Sequence, residues 1–250
     1  MNKTLKGMAM AGLAAVFWGS MGVAGQYLLQ NCHFTPMDLI SIRMLLAGSI
    51  FVGIEFFLLK KGALKVFETK QNIIDLIIYT LTIIGTQLTF FVCIQYANAP
   101  FAAVLTATVP LWIMIFMVVF QHKRLTVKEV FCGLVAVAGV VLVVTGGSFK
   151  NFNVSGIGFG AGIGSGITGA FYVLLPQKFI ARVGSGLATS WALLLTGVTV
   201  TFVQSLLERT FGLDRLLNFG LCVYCAFRND CGVFGFSKRL PKLSRQILLA

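Results

Sequence analysis

The chain has 250 residues, of which 57% are hydrophobic and only 11% charged, with a mean hydropathy of +0.89. A soluble domain needs a charged fraction nearer a quarter to cover its surface, so a water-soluble globular fold is excluded. Eight acids against twenty bases leave a net charge of +12, yet this does not indicate a nucleic-acid partner, because membrane proteins gather Lys and Arg in their cytoplasmic loops.

In chain order, seven continuously apolar stretches of roughly bilayer-spanning length are separated by short polar breaks. They run from Gly7 to Leu29, Met37 to Leu59, Ile73 to Gln95, Pro100 to Phe120, Val127 to Thr145, Gly156 to Pro176 and Gly186 to Leu207. Each is apolar all round, as a lipid-embedded helix must be, since its backbone polar groups can be satisfied only within the helix. The expected fold is an all-α, polytopic transmembrane bundle. The first stretch is too long for a signal-peptide core and no small-residue cleavage site follows it.

Basic residues mark every second connection. Lys3 and Lys6 precede the first stretch; Lys60, Lys61, Lys65 and Lys70 follow the second; Lys123, Arg124 and Lys128 follow the fourth; Lys178 and Arg182 follow the sixth. The alternate breaks are bare apart from Lys150, so the N-terminus is expected in the cytoplasm. Five stretches precede the glycine-rich break at 146–155. An odd count makes any repeated five-helix unit inverted, an arrangement that places a substrate site between two halves. Two echoes of such a repeat are present: Phe17-Trp18-Gly19 with Ala170-Phe171-Tyr172, and Ser41-Ile42-Arg43 with Ser190-Trp191-Ala192.

The series Val16-Phe17-Trp18-Gly19-Ser20, Phe34-Thr35-Pro36 and Ile42-Arg43-Met44-Leu45-Leu46-Ala47 resembles the opening of the EamA-like family of the drug/metabolite transporter superfamily. Tyr96-Ala97-Asn98-Ala99, Ala102 to Leu105, Val109-Pro110, Arg124-Leu125-Thr126 and Gly133 through Val140 resemble its third to fifth helices. The resemblance covers residues 1 to about 207. It implies an inner-membrane carrier of two inverted five-helix repeats, the first over 1–146 and an incomplete second, of two helices, over 156–207. At Gln121-His122-Lys123-Arg124 the chain departs from the Gly-Glu pair usual in the family, so no role of that acid transfers.

Polar residues within the apolar stretches are the candidates for a substrate pathway. Arg43 lies inside the second stretch, where arginine near a helix centre costs about 2.5 to 3.5 kcal/mol. It either lines the pathway or snorkels to the outer headgroups near Asp38; Glu55 belongs to the cytoplasmic interface. In the first stretch Ala11, Ala15, Gly19 and Gly22 form a smooth stripe suited to close helix packing, with Trp18 and Gln26 beside it. Trp18 sits deeper than the interfacial belt usual for tryptophan and suits a cavity wall. In the third, Thr82, Thr86 and Thr89 can bond their own backbone. Gln87 has no such local solution and is the preferred polar contact after Arg43. Thr106 joins the pathway set from the fourth stretch, and Tyr172, in the sixth, is the aromatic counterpart of Trp18. Pro110 removes an intrahelical hydrogen bond where a gating kink would serve. Gly164, Gly166 and Gly169 spell G-x-G-x-x-G without the strand or acid of a dinucleotide site; they belong to a glycine series, Gly156 to Gly166, that suits tight packing.

Enzyme chemistry finds little footing. His33 and His122 fall on opposite sides of the membrane, acids are scattered singly, and no metal or cofactor motif is present. Cys32, Cys93 and Cys132 read as apolar fillers. From Glu208 onward the pattern fails: 208–250 is a basic tail with Cys222, Cys225 and Cys231, where the family would place three more helices. A frameshift or truncation after about residue 207 is the preferred reading. An eighth helix over Leu216 to Phe236 would carry Arg228, Asn229 and Asp230 near its middle, and a zinc site lacks a fourth ligand. The chain thus reads as a secondary transporter of small organic metabolites or drugs, working by alternating access without a cofactor. Its expected partners are a small-molecule substrate and the lipid bilayer, with homo-oligomerisation allowed. A non-transporting fragment or subunit that needs a partner chain ranks second, since two helices of the second repeat would leave the cavity open to lipid, and an intramembrane enzyme ranks third.

Overall fold

The structure is a computed structural model that describes residues 3–32, 34–122, 126–145 and 155–208. Among these residues it is all helical: α1 (Lys3–Asn31), α2 (Pro36–Leu59), a 3-10 segment (Lys60–Phe67), α3 (Lys70–Tyr96), α4 (Ala99–Thr106), α5 (Val109–Gln121), α6 (Val127–Thr145), α7 (Gly156–Leu174), α8 (Gln177–Val183) and α9 (Ser185–Glu208). Six segments are long and apolar enough to cross a membrane, with α4 and α5 counted together and α7 and α8 together. Helix α6 contributes a shorter apolar stretch, Phe131–Leu142. The chain is therefore a polytopic helical membrane protein. His33, Lys123, Arg124, the glycine-rich break, and the tail with its proposed eighth helix and cysteines lie outside the described residues.

Helix starts are written in short polar signals. Thr35 and Asp38 form a reciprocal cap on α2, with Thr35 N donating to Asp38 Oδ2 at 2.9 Å and Asp38 N to Thr35 Oγ1 at 3.2 Å. Thr126 and Glu129 repeat the device on α6, and Thr69, Asn98 and Ser155 cap α3, α4 and α7. Such caps satisfy amide groups that the first turn leaves without partners. Pro36, Pro100, Pro110 and Pro176 all sit at or beside helix starts, where a missing N–H costs nothing.

Two boundaries differ from the sequence expectation, and proline explains both. The fourth stretch breaks at Ala107 and Thr108 into α4 and α5, because Pro110 cannot donate to the preceding turn and its ring crowds it. The sixth stops at Leu174, and Pro176 opens the short α8. Gly184 then turns the chain into α9 with φ of 99°, a conformation that favours glycine. The segment 60–67, read from sequence only as a basic loop, is a 3-10 helix. Its Ala63 and Val66 are buried, and Trp191 of α9 donates to Ala63 O at 3.0 Å.

At the centre, α2 packs along α9 and α3 along α7, both antiparallel; α3 also touches α1, α4 and α9. The glycine series of α7 divides into two faces. A Cβ at Gly166 would lie 2.7 Å from Trp112 Nε1 and one at Gly169 2.6 Å from Val109 Cγ2, whereas Gly156 and Gly160 have nothing within 4 Å. Only one row therefore permits close approach, to α3, α4 and α5.

The α2–α9 crossing is reciprocal. A Cβ at Gly48 would meet Leu194 Cα at 2.5 Å, and a Cβ at Gly197 would meet Leu45 N at 2.6 Å. One sequence shift relates Leu45 to Leu194 and Gly48 to Gly197, and it is the shift that relates Ser41 to Ser190. Contacts in which i meets j while the counterpart of j meets the counterpart of i are the mark of a two-fold interface.

Candidate functional site

The most unusual group inside the bundle is Arg43. It lies about 7 Å along the helix from the midpoint of α2 at 1.5 Å per residue, half-buried where α1, α2 and α3 meet. Its Nη2 donates to Gln87 Oε1 of α3 at 2.6 Å, its Nη1 points at Met21 Sδ of α1, and its Cζ stands 4.9 Å from the centre of the Phe91 ring. A cation over an aromatic face is held by the ring quadrupole, and desolvation strengthens that attraction. Phe91 is itself fixed: it packs edge-on to Phe90 at 5.5 Å, and a Cβ at Gly25 would lie 2.8 Å from its Cε1. Any larger residue at Gly25 would displace the ring on which the guanidinium rests.

Arg43 is turned toward α3 rather than toward Asp38. The carboxylate of Asp38 accepts from Thr35 N and Oγ1 and, through Oδ1, from Gln204 Nε2 of α9 at 2.6 Å. These bonds clamp one end of the α2–α9 pair. At the other end Glu55 lies against Gly186.

The remaining candidates are dispersed. Gln26 Oε1 accepts from Ala99 N at 2.8 Å and its Nε2 donates to Gln30, so it ties α1 to the start of α4. Trp18 and Gly19 are exposed on the outer side of α1, and Trp18 makes no ring contact with Tyr172. Gly22 is buried, 3.6 Å from Ala99 Cβ as measured from an added Cβ. Thr106 bonds back to Ala102 O and meets Ser165 Oγ of α7 at 3.0 Å in a buried contact. The Tyr172 ring lies tilted against that of Tyr79, with centroids 5.6 Å apart, and the Tyr79 hydroxyl lies 3.4 Å from Thr189 Oγ1. Gly164 faces Thr89. Thr82, Thr86 and Thr89 all bond backbone carbonyls of their own helix. Pro110 lines an apolar cavity of about 340 Å³ between α5 and α6, together with Met114, Cys132, Lys128 and Glu129.

Of the pathway residues singled out from sequence, only Arg43 and Gln87 are hydrogen-bonded to each other. Met21 and Phe91 complete their cluster and carry no sequence signal, because apolar residues are ordinary in spanning helices. A second polar knot joins the ends that carry the basic residues: Asp75 of α3 pairs with Arg182 of α8, and Trp191 stands edge-on to Phe67 at 4.8 Å.

This arrangement, a lone arginine held by neutral partners inside a bundle of spanning helices, can be set beside known proteins. A model of the EamA-like transporter family matches residues 5–145, more than half of the chain. The chain belongs to the EamA-like transporter family. Within it, the chain is 30% identical over 199 residues to the "Uncharacterized inner membrane transporter YicL" of Salmonella typhimurium. The match covers 79% of this chain and 66% of the relative, so the chain spans just under two thirds of that protein's length. No solved structure matches this EamA-like chain.

Proposed function

We propose that this EamA-like protein is a secondary transporter that moves small organic metabolites or drugs across the cytoplasmic membrane by alternating access, with Arg43 and Gln87 in the pathway. The observation that carries this reading is the guanidinium inside α2, about 7 Å from the helix midpoint and hydrogen-bonded to Gln87 at 2.6 Å. A charge at that depth is costly, and ionisable groups inside membrane bundles typically mark a solute or ion path. The reciprocal α2–α9 crossing supports a pseudo-two-fold axis between inverted repeats, 1–146 and 156–207. The matched segment ends where α6 ends, in keeping with a five-helix first unit. Alternating access in such carriers is a rocking of one repeat against the other around a midplane site. The name of the Salmonella relative fits an inner-membrane carrier, and the basic residues around 60–70 and 178–182 fit a cytoplasmic N-terminus.

A second reading, a chain that acts only with a partner chain, is favoured by α1. Only 6% of its apolar window is buried, against 39% in α2, α3 and α9.

Cysteine labelling in intact cells tests orientation and pathway together, in a background without native cysteines. Gln71→Cys and Gln177→Cys are expected to resist a membrane-impermeant thiol reagent, while Asn31→Cys and Gln95→Cys react. Met21→Cys, although within a span, is expected to react from one side of the membrane, because it borders the guanidinium. Reversed labelling at the loops contradicts the orientation, and a Met21→Cys thiol inert from both sides contradicts a water-filled path at Arg43.

A further inference from the structure

Among the described residues the Arg43 guanidinium has no carboxylate within ion-pair distance; its partners are an amide oxygen, a thioether and an aromatic face. Asp38 is bonded to Thr35 and Gln204, and Glu55 lies toward the opposite end of α2. Among the described residues the site therefore holds one net positive charge, in a region where uncompensated charge is disfavoured. It also holds unused donors. A guanidinium has five N–H groups in a planar fork, and two bonds account for its polar contacts here. With Gln87 Oε1 turned to Arg43, the amide Nε2 of Gln87 has no hydrogen bond among the described residues.

The charge is also one-sided. The shift that relates Gly48 to Gly197 pairs Arg43 with Ala192, which is fully buried and apolar. At this pair of equivalent positions one half of the bundle thus supplies a cation and the other an apolar side chain. Away from helix ends, Arg43 is the only cation in the described spanning helices.

Resting on the pathway reading above, we propose that the substrate is a small monocarboxylate with an uncharged body, bound through its carboxylate by Arg43 and the Gln87 amide. The planar fork matches a carboxylate in two parallel hydrogen bonds. A phosphate monoester carries between one and two negative charges at neutral pH and would leave charge uncompensated beside a single guanidinium. An amino-acid zwitterion would need an acid for its ammonium group, and the cluster has none. An organic cation would be repelled.

The test uses residues 1–250 in lipid nanodiscs and five probes of similar size: benzoate, benzamide, phenyl phosphate, phenylalanine and benzylammonium. An aromatic body suits the Met21 and Phe91 surroundings. Benzoate is expected to raise the melting midpoint saturably, with benzamide and benzylammonium inert and the other two at least tenfold weaker. Arg43→Gln is expected to weaken benzoate binding by about tenfold or more, as the loss of a charge-assisted pair implies. Gln87→Glu guards against a folding artefact. It places a carboxylate beside Arg43, so the protein should melt at or above the wild-type temperature yet no longer respond to benzoate. Equal responses to benzamide, preference for benzylammonium, phenylalanine or phenyl phosphate, an undiminished benzoate response in Gln87→Glu, or no response to any probe would overturn the proposal. Benzoate binding without flux in proteoliposomes would sink the transport reading and leave the site. Saturable flux of a cation or neutral solute, untouched by Gln87→Glu, would do the reverse.

Discussion

Replacing Gly48 by leucine is expected to remove most folded protein from the membrane fraction, while the same change at Gly53, on the same helix, leaves the level unchanged. An added Cβ at Gly48 meets the backbone of Leu194, whereas one at Gly53 meets nothing within 4 Å. A backbone cannot step aside as a flexible side-chain end can, so the two helices must separate. Separation forfeits the van der Waals contact that holds membrane helices together, since lipid tails compete for every apolar surface. The cost should be on the order of 3 kcal/mol, at the upper end for overpacked sites. Reciprocity adds a sharper expectation. Gly48→Ala and Gly197→Ala should each destabilise the bundle, and the double variant should cost clearly less than the two together, because both act by parting the same pair. Melting of the purified variants checks this, and full additivity would show that the two contacts are independent.

Transport should respond to Arg43 in a graded way. Arg43→Lys keeps the charge but loses the planar fork that reaches Gln87 and Met21 together. Flux is expected to fall about tenfold, the equivalent of one hydrogen bond's free energy, with normal membrane levels. Arg43→Leu should abolish flux while easing insertion of α2, since an arginine near a helix centre costs about 2.5 to 3.5 kcal/mol and leucine favours insertion. Loss of function together with better insertion is the outcome that separates a pathway arginine from a structural one. Unchanged flux in both variants would assign Arg43 to packing.

Much of the architecture was legible because lipid imposes a coarse rule. Continuous apolar stretches of bilayer length had to be helices, and α6 begins and ends where its stretch does. Arg43 and Gln87 were also legible, since a polar side chain without a local backbone solution has to find a partner across the bundle. The rest of the cluster was not. Met21 and Phe91 are apolar in an apolar helix, and only the geometry shows that one faces the guanidinium and the other lies beneath it. Gln26 carries a polar signal in the sequence, and its partner, the amide of Ala99 at the start of α4, does not. The glycines of the central crossing escaped notice for a different reason. Gly48 and Gly197 stand in no dense glycine series, unlike those of α7, and their meaning appears only when the two halves are superposed by the shift of the Ser41 and Ser190 echo. At Pro110 the fourth stretch divides into α4 and α5, and the turn at Ala107 and Thr108 is stabilised by bonds from Ala107 N to Ala103 O and from Thr108 N to Leu105 O.

Carrier activity itself is tested most directly by counterflow in proteoliposomes made with residues 1–250 at a measured oligomeric state. Vesicles preloaded with unlabelled benzoate and diluted into a trace of labelled benzoate should show a transient, saturable accumulation of label that Arg43→Leu eliminates. Exchange across a membrane without an imposed ion gradient is the property that alternating access confers on a single binding site. Accumulation no greater than in protein-free vesicles, by monomer and oligomer alike, would contradict the account and favour a chain that does not transport by itself.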